Sequence, residues 1–469
     1  MKKINYLIIA ILLLNVTGCD DSFIDLEPTN VLGADLAFQS IEDVEAGLLG
    51  AYTTLRTTHA RNFSMLPDIM GDHTTLPDET LGNERFMHAW TYQAGDGTAA
   101  GLWSNSYLLI ERANVILEEL EIFRPDDASL ADQIRGEALA LRGLSHFDLT
   151  RYFSDNYSVG GLGVAVKLKS RVITEPIRES VTDTYVQILA DLTEAKTLLA
   201  RGSDGNIGRF SEMGVTALLA RVSLYAEDYE AAITYATEVI DAYPITTRET
   251  FDNLWRSDIG TGSIMQVVYT ASDATIGGVL YGEESDQLNW HPSEELISLY
   301  DQLNDVRFAS YFRTRPGGTI LIDNKYSGRE VGGTVTNPQL VNFQMFRVEE
   351  QYLIRAEAHL LKASPSVVNA SLDLNALRAE RITGYADEVF ADVSTLLDAI
   401  AIERQKELCF EGHRWFDLKR FDLSVTRGTD CDDSGAANCS LDVASEKWLI
   451  PIPQNELFAN PNMVQNNGY

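Results

Sequence analysis

The chain has 469 residues, a formal net charge of −32 at pH 7, a sequence pI of about 4.5 and 45% hydrophobic residues. Such a negative field repels nucleic acids and anionic headgroups, so binding to either through a basic patch is excluded as a main function. The hydrophobic fraction is ample for a sizeable core, in one large domain or two closely packed ones.

The first nineteen residues have the layout of a secretory signal. Lys2 and Lys3 precede an apolar run over residues 8–14, and Gly18 stands directly before Cys19. The run is too short for a permanent membrane helix. A small residue before a cysteine here resembles a bacterial lipoprotein box, which predicts that residues 1–18 are removed and that Cys19 carries lipid. The alternative is an ordinary signal peptide with an incidental cysteine.

A polar tether is predicted next, and helices follow it. Residues 19–35 contain Pro and many polar side chains and show no period. Apolar residues at steps of three and four then predict helices over about residues 103–120, 134–152 and 185–199. For the last of these, Thr182 or Asp183 is a candidate N-cap and Gly202 a candidate end.

Residues 216–244 resemble a tetratricopeptide unit. Leu219, Ala220, Ala232 and Pro244 match the Leu, small, Ala and Pro positions of that repeat, and Tyr229 opens the second helix. Residues 352–377 look like a second hairpin, and such hairpins stack into a curved support. The predicted fold class is therefore mostly α: tetratricopeptide-like helical hairpins forming a curved scaffold, with long irregular loops and a few short strands.

Two long segments between the hairpins have a different texture. Residues 68–101 and 257–338 are rich in Gly, Thr, Asn, Asp and Pro, with isolated aromatic residues. Short strands are predicted at 263–270 and 319–323. Loops on a rigid scaffold commonly carry binding groups, so these two segments are the predicted location of a ligand site.

The four cysteines fall into three roles. Cys19 is assigned to lipid, and Cys409, inside a helical pattern, is expected to be an inert packed thiol. Cys431 and Cys439 flank a turn-rich loop and could form a disulfide bond in an oxidising location, stapling that loop.

Motifs for phosphate-binding loops, serine hydrolases and zinc proteases are absent, and neither a cofactor nor a metal site is predicted. Asp430 begins a calcium-like spacing, but Leu441 replaces the Glu that would close the loop. Glu403, Glu407 and Glu411 share a helix face and could, as paired carboxylates, cleave a glycosidic bond. Because basic and aromatic residues are interleaved with them, a buried charge network is the preferred interpretation, and no catalytic residue is assigned.

Two segments of the last third resemble a known family. Residues 403–420 read ERQKELCFEGHRWFDLKR, and the C-terminus contains IPIPQNE, NPN and QNNGY at 450–456, 460–462 and 465–469. Both closely resemble signatures of the SusD/RagB family of nutrient-uptake lipoproteins. Further matches follow in family order: residues 136–138, 141–143, 191–192, 219–221, 305–307 and 374–378. The resemblance covers nearly the whole chain after Cys19, and the Cys431–Cys439 insertion departs from it.

The resemblance implies a mostly helical protein built on four tetratricopeptide-like hairpins. Members are lipid-anchored on the outer face of the outer membrane. There they cap a TonB-dependent transporter of the SusC type and capture oligosaccharides for import as binding proteins, not enzymes. Asp20 and Asp21 resemble the export signal that sends such lipoproteins to the surface. The predicted units are a signal peptide (1–18), a lipidated tether (19–35) and two regions packed as one globular unit (36–255 and 256–469).

Sugars present apolar C–H faces and a polar rim, so their sites combine aromatic rings with hydrogen-bonding groups. Trp90 and Trp290 are the predicted stacking surfaces, although each could instead pin its loop to the helices. The predicted polar and aromatic partners are Asp72, Asn83, Arg85, Tyr92, Tyr281 and Asn289. The remaining tryptophans are assigned to packing: Trp103, Trp255, Trp415 and Trp448.

Three other functions stay open at this point. The same fold could carry peptides or other non-glycan cargo. A lipid-anchored glycoside hydrolase could use Glu403, Glu407 or Glu411. A repeat protein could also be a purely structural scaffold.

Overall fold

The structure is a computed structural model, and the part of the chain that it describes comprises residues 37–60, 62–76, 84–171, 175–202, 205–258, 260–280, 290–322, 324–331, 334–433 and 438–469. The predicted signal peptide, Cys19 and the tether lie outside these ranges. Within them, no helix is both long enough and apolar enough to cross a membrane.

Helices dominate the fold. In chain order they are α1 (Ile41–His59), α2 (Asn62–Met70), α3 (Arg85–His88), α4 (Gly97–Phe123), α5 (Ala128–Phe153), α6 (Val181–Leu199), α7 (Glu212–Tyr225), α8 (Tyr229–Ala242), α9 (Asn253–Arg256), α10 (Ile276–Leu280), α11 (Glu294–Ser298), α12 (Val306–Tyr311), α13 (Val348–Leu361), α14 (Val367–Ala379), α15 (Val393–Leu408), α16 (Arg414–Arg420), α17 (Asp430–Asp433) and α18 (Gln454–Ala459). A 3₁₀ turn covers Glu446–Trp448.

The strands are short and pair antiparallel in twos. They are β1 (Thr74–Thr75), β2 (Ser263–Val267), β3 (His291–Pro292), β4 (Arg313–Thr314), β5 (Ile320–Leu321), β6 (Gly328–Val331), β7 (Thr334–Pro338), β8 (Phe343–Arg347), β9 (Val425–Thr426) and β10 (Ser440–Leu441). The pairs are β1 with β3, β2 with β8, β4 with β5, β6 with β7, and β9 with β10. The predicted mostly α class with a few short strands is confirmed.

The long helices stack side by side. Helix α1 packs on α4, α4 on α5, α5 on α6, α6 on α7, α7 on α8, α8 on α13, and α13 on both α14 and α15. Short connections join α4 to α5, α7 to α8 and α13 to α14, so each of these pairs forms an antiparallel hairpin. The hairpins predicted at residues 216–244 and 352–377 are both present, and Tyr229 opens the second helix of the first.

Small residues make the close packing possible. A Cβ added to Gly136 or Gly143 on α5 would come within 2.8 Å and 2.9 Å of Leu199 and Leu192 on α6. Helix α6 itself begins two or three residues earlier than predicted, because its N-cap is Ser180 rather than Thr182 or Asp183. The Ser180 hydroxyl accepts a hydrogen bond from the Asp183 amide. It ends at Leu199 instead of reaching Gly202.

The largest core cluster runs from Ile41 on α1 to Phe410 after α15 and includes strands β2 and β8. A second cluster joins α2 and the start of α4 to α16 and the C-terminal segment, from Phe63 to Met463. The tryptophans assigned to packing, Trp103, Trp255, Trp415 and Trp448, are all buried. The second cluster therefore joins the C-terminal segment to helices from the first part of the chain.

Candidate functional site

The two loop segments that the sequence predicts as ligand-binding meet in the structure. Strand β1 of the first pairs with β3 of the second, placing Thr74 opposite Pro292 and Thr75 opposite His291. The Ser293 hydroxyl adds a 2.7 Å hydrogen bond to the backbone carbonyl of Asp72. Residues more than 200 positions apart in the sequence thus form one surface.

A third segment, which the sequence analysis did not include in the site, closes against these two. The Thr75 hydroxyl donates to the Asp430 carbonyl at 3.0 Å, and the Asp430 carboxylate accepts the Glu294 amide at 3.0 Å. A disulfide bond joins Cys431 to Cys439, with their Cα atoms 5.8 Å apart. We call residues 68–76, 84–92, 290–295, 425–433 and 438–441 the loop cluster.

One buried arginine holds the loop cluster together. The Arg427 guanidinium donates to backbone carbonyls of the first and third loops at 2.9–3.3 Å: those of Ile69, Met70, Gly71, His88 and Asn438. It also lies 4.2 Å from the centre of the Trp90 ring, a cation–π contact. Burial lowers the pKa of Arg427 to about 9, against the attraction of Asp72 and Asp430. No sequence motif marks this arginine, so sequence reasoning missed it.

Asp72, a predicted ligand partner, is engaged by the scaffold. Its two carboxylate oxygens each accept a 2.6 Å hydrogen bond from Arg414 at the start of α16. Burial alone would raise the pKa of Asp72, but the Arg414 charge outweighs it and the pKa is lowered. Because Arg414 belongs to the family-like motif, that motif is physically connected to the loop cluster.

The two tryptophans predicted to stack against sugars, Trp90 and Trp290, are buried, and so is Tyr92, a predicted ligand partner. Trp90 is 4% exposed and Trp290 and Tyr92 are 0% exposed. The Trp90 indole donates to the Met70 carbonyl at 2.9 Å, and the Trp290 ring lies 5.2 Å from that of His88. These rings pin the loops to the scaffold, the alternative that the sequence left open, because their apolar area gains more from burial than from solvent.

Backbone geometry at Trp90 shows how tightly this frame is held. Trp90 has φ of +54°, in the left-handed region that costs a bulky residue about 1–2 kcal/mol. The indole hydrogen bond and the Arg427 contact compensate for that strain. Glu84, at the start of the same segment, also lies in this region, with φ of +58°.

Arg85 is the predicted site residue that remains exposed in the loop cluster. It begins α3, directly after Glu84, and its side chain reaches solvent. Asn83, Tyr281 and Asn289, the other predicted ligand partners, lie outside the described residues.

His88 provides a pH-dependent reporter of this frame. Arg427 donates toward its Nδ1 at 3.2 Å, so its Nε2 carries the proton and donates to the Thr74 carbonyl at 3.4 Å. Burial, and then the Arg427 charge, lower the pKa of His88 to about 3. The folded protein thus keeps this imidazole neutral, whereas the unfolded chain protonates it near pH 6.5.

We expect the free energy of unfolding to fall as pH falls from 7 to 5. A histidine with a depressed folded pKa contributes its full stability above about pH 6.5 and loses about 1.4 kcal/mol per pH unit below it. His146 and His413 are also buried with lowered pKa values and add to the slope. Urea unfolding at each pH measures it. His88→Gln should reduce the slope by one proton, and an unchanged slope would contradict this assignment.

The three glutamates considered for glycosidic chemistry are buried in a charge network. Glu407 accepts hydrogen bonds from Arg307, Arg347 and Arg381 at 2.9–3.0 Å. Glu403 and Glu411 are similarly occupied, with Arg307 and Arg378 on Glu403 and with Arg347 and Lys325 on Glu411. At 0–5% exposure, none presents a carboxylate to solvent. The motif that contains them is therefore structural here, matching the preferred interpretation of its sequence.

The remaining candidates for chemistry are the Cys409 thiol and a metal site. Cys409 is a free, buried thiol, and burial raises its pKa to about 12. In the described ranges, no group of three or more His, Cys, Asp or Glu side chains could hold a metal ion. Part of the calcium-like loop after Asp430 falls outside those ranges.

Fold and site together define a helical-repeat scaffold on which three distant loops meet, two of them joined by one buried arginine. Two family models match the chain: one described as "Starch-binding associating with outer membrane" over residues 22–224, and one described as "SusD family" over residues 319–469. Both matches include parts of the loop cluster. The chain belongs to the SusD/RagB family.

Individual relatives extend the similarity across the chain. SusD-like protein P2 of Formosa agariphila is 24% identical, with the alignment covering 100% of both chains. The starch-binding protein SusD of Bacteroides thetaiotaomicron is 33% identical over 126 residues, 27% of this chain and 21% of the relative.

Solved structures share the fold. A SusD superfamily protein from Bacteroides thetaiotaomicron superposes with a TM-score of 0.80 at 25% identity, covering 91% of this chain and 99% of that one. A putative sugar binding protein from Bacteroides vulgatus superposes with a TM-score of 0.78 at 25% identity, covering 92% and 99%. The scaffold is thus common to proteins that differ in three quarters of their aligned residues.

Proposed function

We propose that this protein binds oligosaccharides at the cell surface and delivers them to a TonB-dependent outer-membrane transporter of the SusC type. The observation that carries the proposal is the family match over residues 22–224, whose description is starch binding with outer-membrane association. The name of the sugar binding protein from Bacteroides vulgatus, which shares the fold, supports the same ligand class.

The loop cluster is the proposed ligand surface. Its frame is buried and fixed by Arg427, Trp90 and Trp290, so a ligand meets the outer rim. Arg85 lies on that rim, and Asn83, Tyr281 and Asn289 are proposed to act beside it. A fixed frame lowers the entropy lost when a flexible sugar binds, because few protein side chains need to be ordered.

The first test is direct binding. A glycan library should contain neutral oligosaccharides that bind the purified chain, and calorimetry should measure their affinity. Arg85→Ala should weaken binding about tenfold, the value of one hydrogen bond to a charged group. Arg135→Ala, on an exposed surface ion pair of α5, is the matched control and should change nothing. If peptides bind and no glycan does, the cargo is peptide and the proposed glycan ligand is wrong.

The lipid anchor is proposed at Cys19, with the surface as destination. A moored binding protein keeps a high local concentration near its transporter through its tether. Cys19→Ala should move the protein from the membrane fraction to the soluble fraction or block its maturation, as immunoblotting of cell fractions measures. Asp20→Ala with Asp21→Ala should leave the protein lipidated but inaccessible to surface labelling. Unchanged labelling would show that Asp20 and Asp21 are not the surface-export signal.

A further inference from the structure

A cleft on another part of the scaffold is unassigned by the family match. It has two adjoining parts, a cavity of about 250 Å³ and a groove of about 530 Å³, which share Asp155, Asn156, Lys419 and Asp422 in their walls. Together they fall within the size of ordinary small-molecule sites. The cleft has no lining residue in common with the loop cluster, so it would be an independent site.

The smaller part, which we call the tyrosine chamber, is lined by aromatic rings. They are Tyr157, Tyr185, Tyr225, Tyr229, Phe416 and Phe421. Tyr225 ends α7 and Tyr229 begins α8, so the turn of the best repeat hairpin supplies two of them. The Tyr157 ring is half-buried and meets Tyr185 edge-on, with centroids 5.2 Å apart. Such rings offer flat apolar faces with hydroxyl groups at their edges.

Two buried polar atoms in this wall lack partners. The Tyr225 hydroxyl and the Nε of Arg151 have no hydrogen-bond partner among the described residues. Arg151 is only 7% exposed, and its guanidinium lies 4.2 Å from the Phe416 ring. A buried donor without a partner costs about 1–3 kcal/mol, so its presence calls for a ligand or an ordered water.

The charges of the chamber disfavour an anionic ligand. Arg151 pairs with Asp148, and Arg420 pairs with Glu357 and Asp417. The third cation of the chamber wall, Lys419, donates to the backbone carbonyls of Arg151 and Ser154, so the scaffold engages all three. Asp155, Glu227 and Asp422 are exposed carboxylates in the cleft wall. An anion would therefore meet repulsion at the entrance, whereas hydroxyl groups would find acceptors there.

The groove, the larger part of the cleft, has polar side chains in its wall. Its wall includes the amides of Asn156, Gln465, Asn466 and Asn467. The first three bond to backbone groups of the scaffold, whereas Asn467 is exposed and can offer a donor and an acceptor to a ligand. A ligand that suits both parts is electrically neutral, has apolar ring faces at one end and carries many hydroxyl groups along its length. Neutral oligosaccharides have these properties.

We propose that the cleft is a second oligosaccharide-binding site, with a terminal sugar ring in the tyrosine chamber and further units along the groove. This inference rests on the proposed function in taking glycans as the ligand class. It adds a separate place on the repeat scaffold, so that one chain can hold a polysaccharide at two points. Two linked contacts raise the apparent affinity for long chains well above that for short ones.

The test uses the glycan library, then calorimetry with each neutral oligosaccharide that binds. Tyr157→Ala removes a chamber ring, Tyr225→Phe removes only the unpartnered hydroxyl, and Arg85→Ala addresses the loop cluster. We expect two ligands per chain for a short oligosaccharide. Tyr157→Ala should abolish one of these binding events, and Tyr225→Phe should weaken the same event about threefold to tenfold. Circular dichroism confirms that each variant keeps its helices.

The outcomes separate the two proposals. One ligand per chain, lost with Arg85→Ala and unaffected by the tyrosine variants, would overturn the second site and leave the proposed function standing. Binding lost only with the tyrosine variants would support the cleft and remove the ligand site from the loop cluster. If no neutral glycan binds, both proposals fail, and binding of a peptide in the cleft would overturn its assignment to saccharides.

Discussion

Glu407→Gln is expected to lower the free energy of unfolding by about 3–5 kcal/mol, the usual result of removing one partner from a buried ion pair. Glu407 is 0% exposed and faces Arg307, Arg347 and Arg381. Burial opposes its charge, but the three guanidinium groups outweigh this effect and the pKa of Glu407 is strongly lowered. Glutamine keeps the shape and removes the charge, leaving three buried cations with too few carboxylates.

Urea unfolding at neutral pH measures this loss. Glu194→Gln is the matched control, because Glu194 pairs with Arg135 at 2.7 Å on the surface, with 47% of its side chain exposed. Surface pairs of this kind contribute less than about 1 kcal/mol. Equal effects of the two substitutions would contradict the structural role of the network. The unsubstituted protein should also be assayed for reducing-sugar release from polysaccharides. If it is active, and if a folded Glu407→Gln variant is inactive, the glycoside hydrolase alternative would be supported.

Arg427→Met should reduce glycan binding at the loop cluster at least tenfold while leaving the helical stack in place. The substitution keeps an unbranched apolar stem, although a shorter one, and removes all donors to the five carbonyls that Arg427 joins. Hydrogen bonds from a charged donor are worth about 1.5–3 kcal/mol each, and their loss frees the first and third loops from one another. The cation–π contact between the Arg427 guanidinium and the Trp90 ring is lost as well.

Calorimetry measures the affinity, and limited proteolysis should show faster cleavage between residues 68 and 92. Circular dichroism should be unchanged, because the helices of the stack do not depend on Arg427. Arg135→Met, at a half-buried surface position on α5, is the control. Unchanged affinity in a variant whose loops are cut faster would mean that the ligand binds elsewhere on the chain.

The sequence predicts the scaffold well because helix packing requires a periodic pattern of apolar and small residues within each segment. The apolar spacing of residues 185–199 and the small residues Ala220 and Ala232 follow directly from helices lying close together. The cap of α6 is harder to place, because Ser180, Thr182 and Asp183 are all good capping residues, and only the backbone geometry distinguishes them.

The loop cluster has no comparable pattern in the sequence. The pairing of Thr74 with Pro292 and the clamp by Arg427 are long-range contacts between irregular segments, and no periodicity signals them. An isolated tryptophan in a polar loop looks the same whether it faces a ligand or anchors the loop, so the burial of Trp90 and Trp290 emerges only in three dimensions. A weak signal exists for the cleft: Tyr225 and Tyr229 flank the turn of the recognisable repeat hairpin.

The loop cluster also sets an order of events during synthesis. Its frame joins residues that lie more than 340 positions apart: Asp72 with Arg414, Gly71 with Arg427 and Thr75 with Asp430. Contacts of such long sequence separation form slowly, and a chain grows from its N-terminus. A nascent chain can therefore stack helices α1 to α8 long before the partners of its first loop exist. The loop cluster, the proposed ligand surface, is completed only when the chain is nearly finished, so a truncated product would lack its Arg427 and Asp430 contacts.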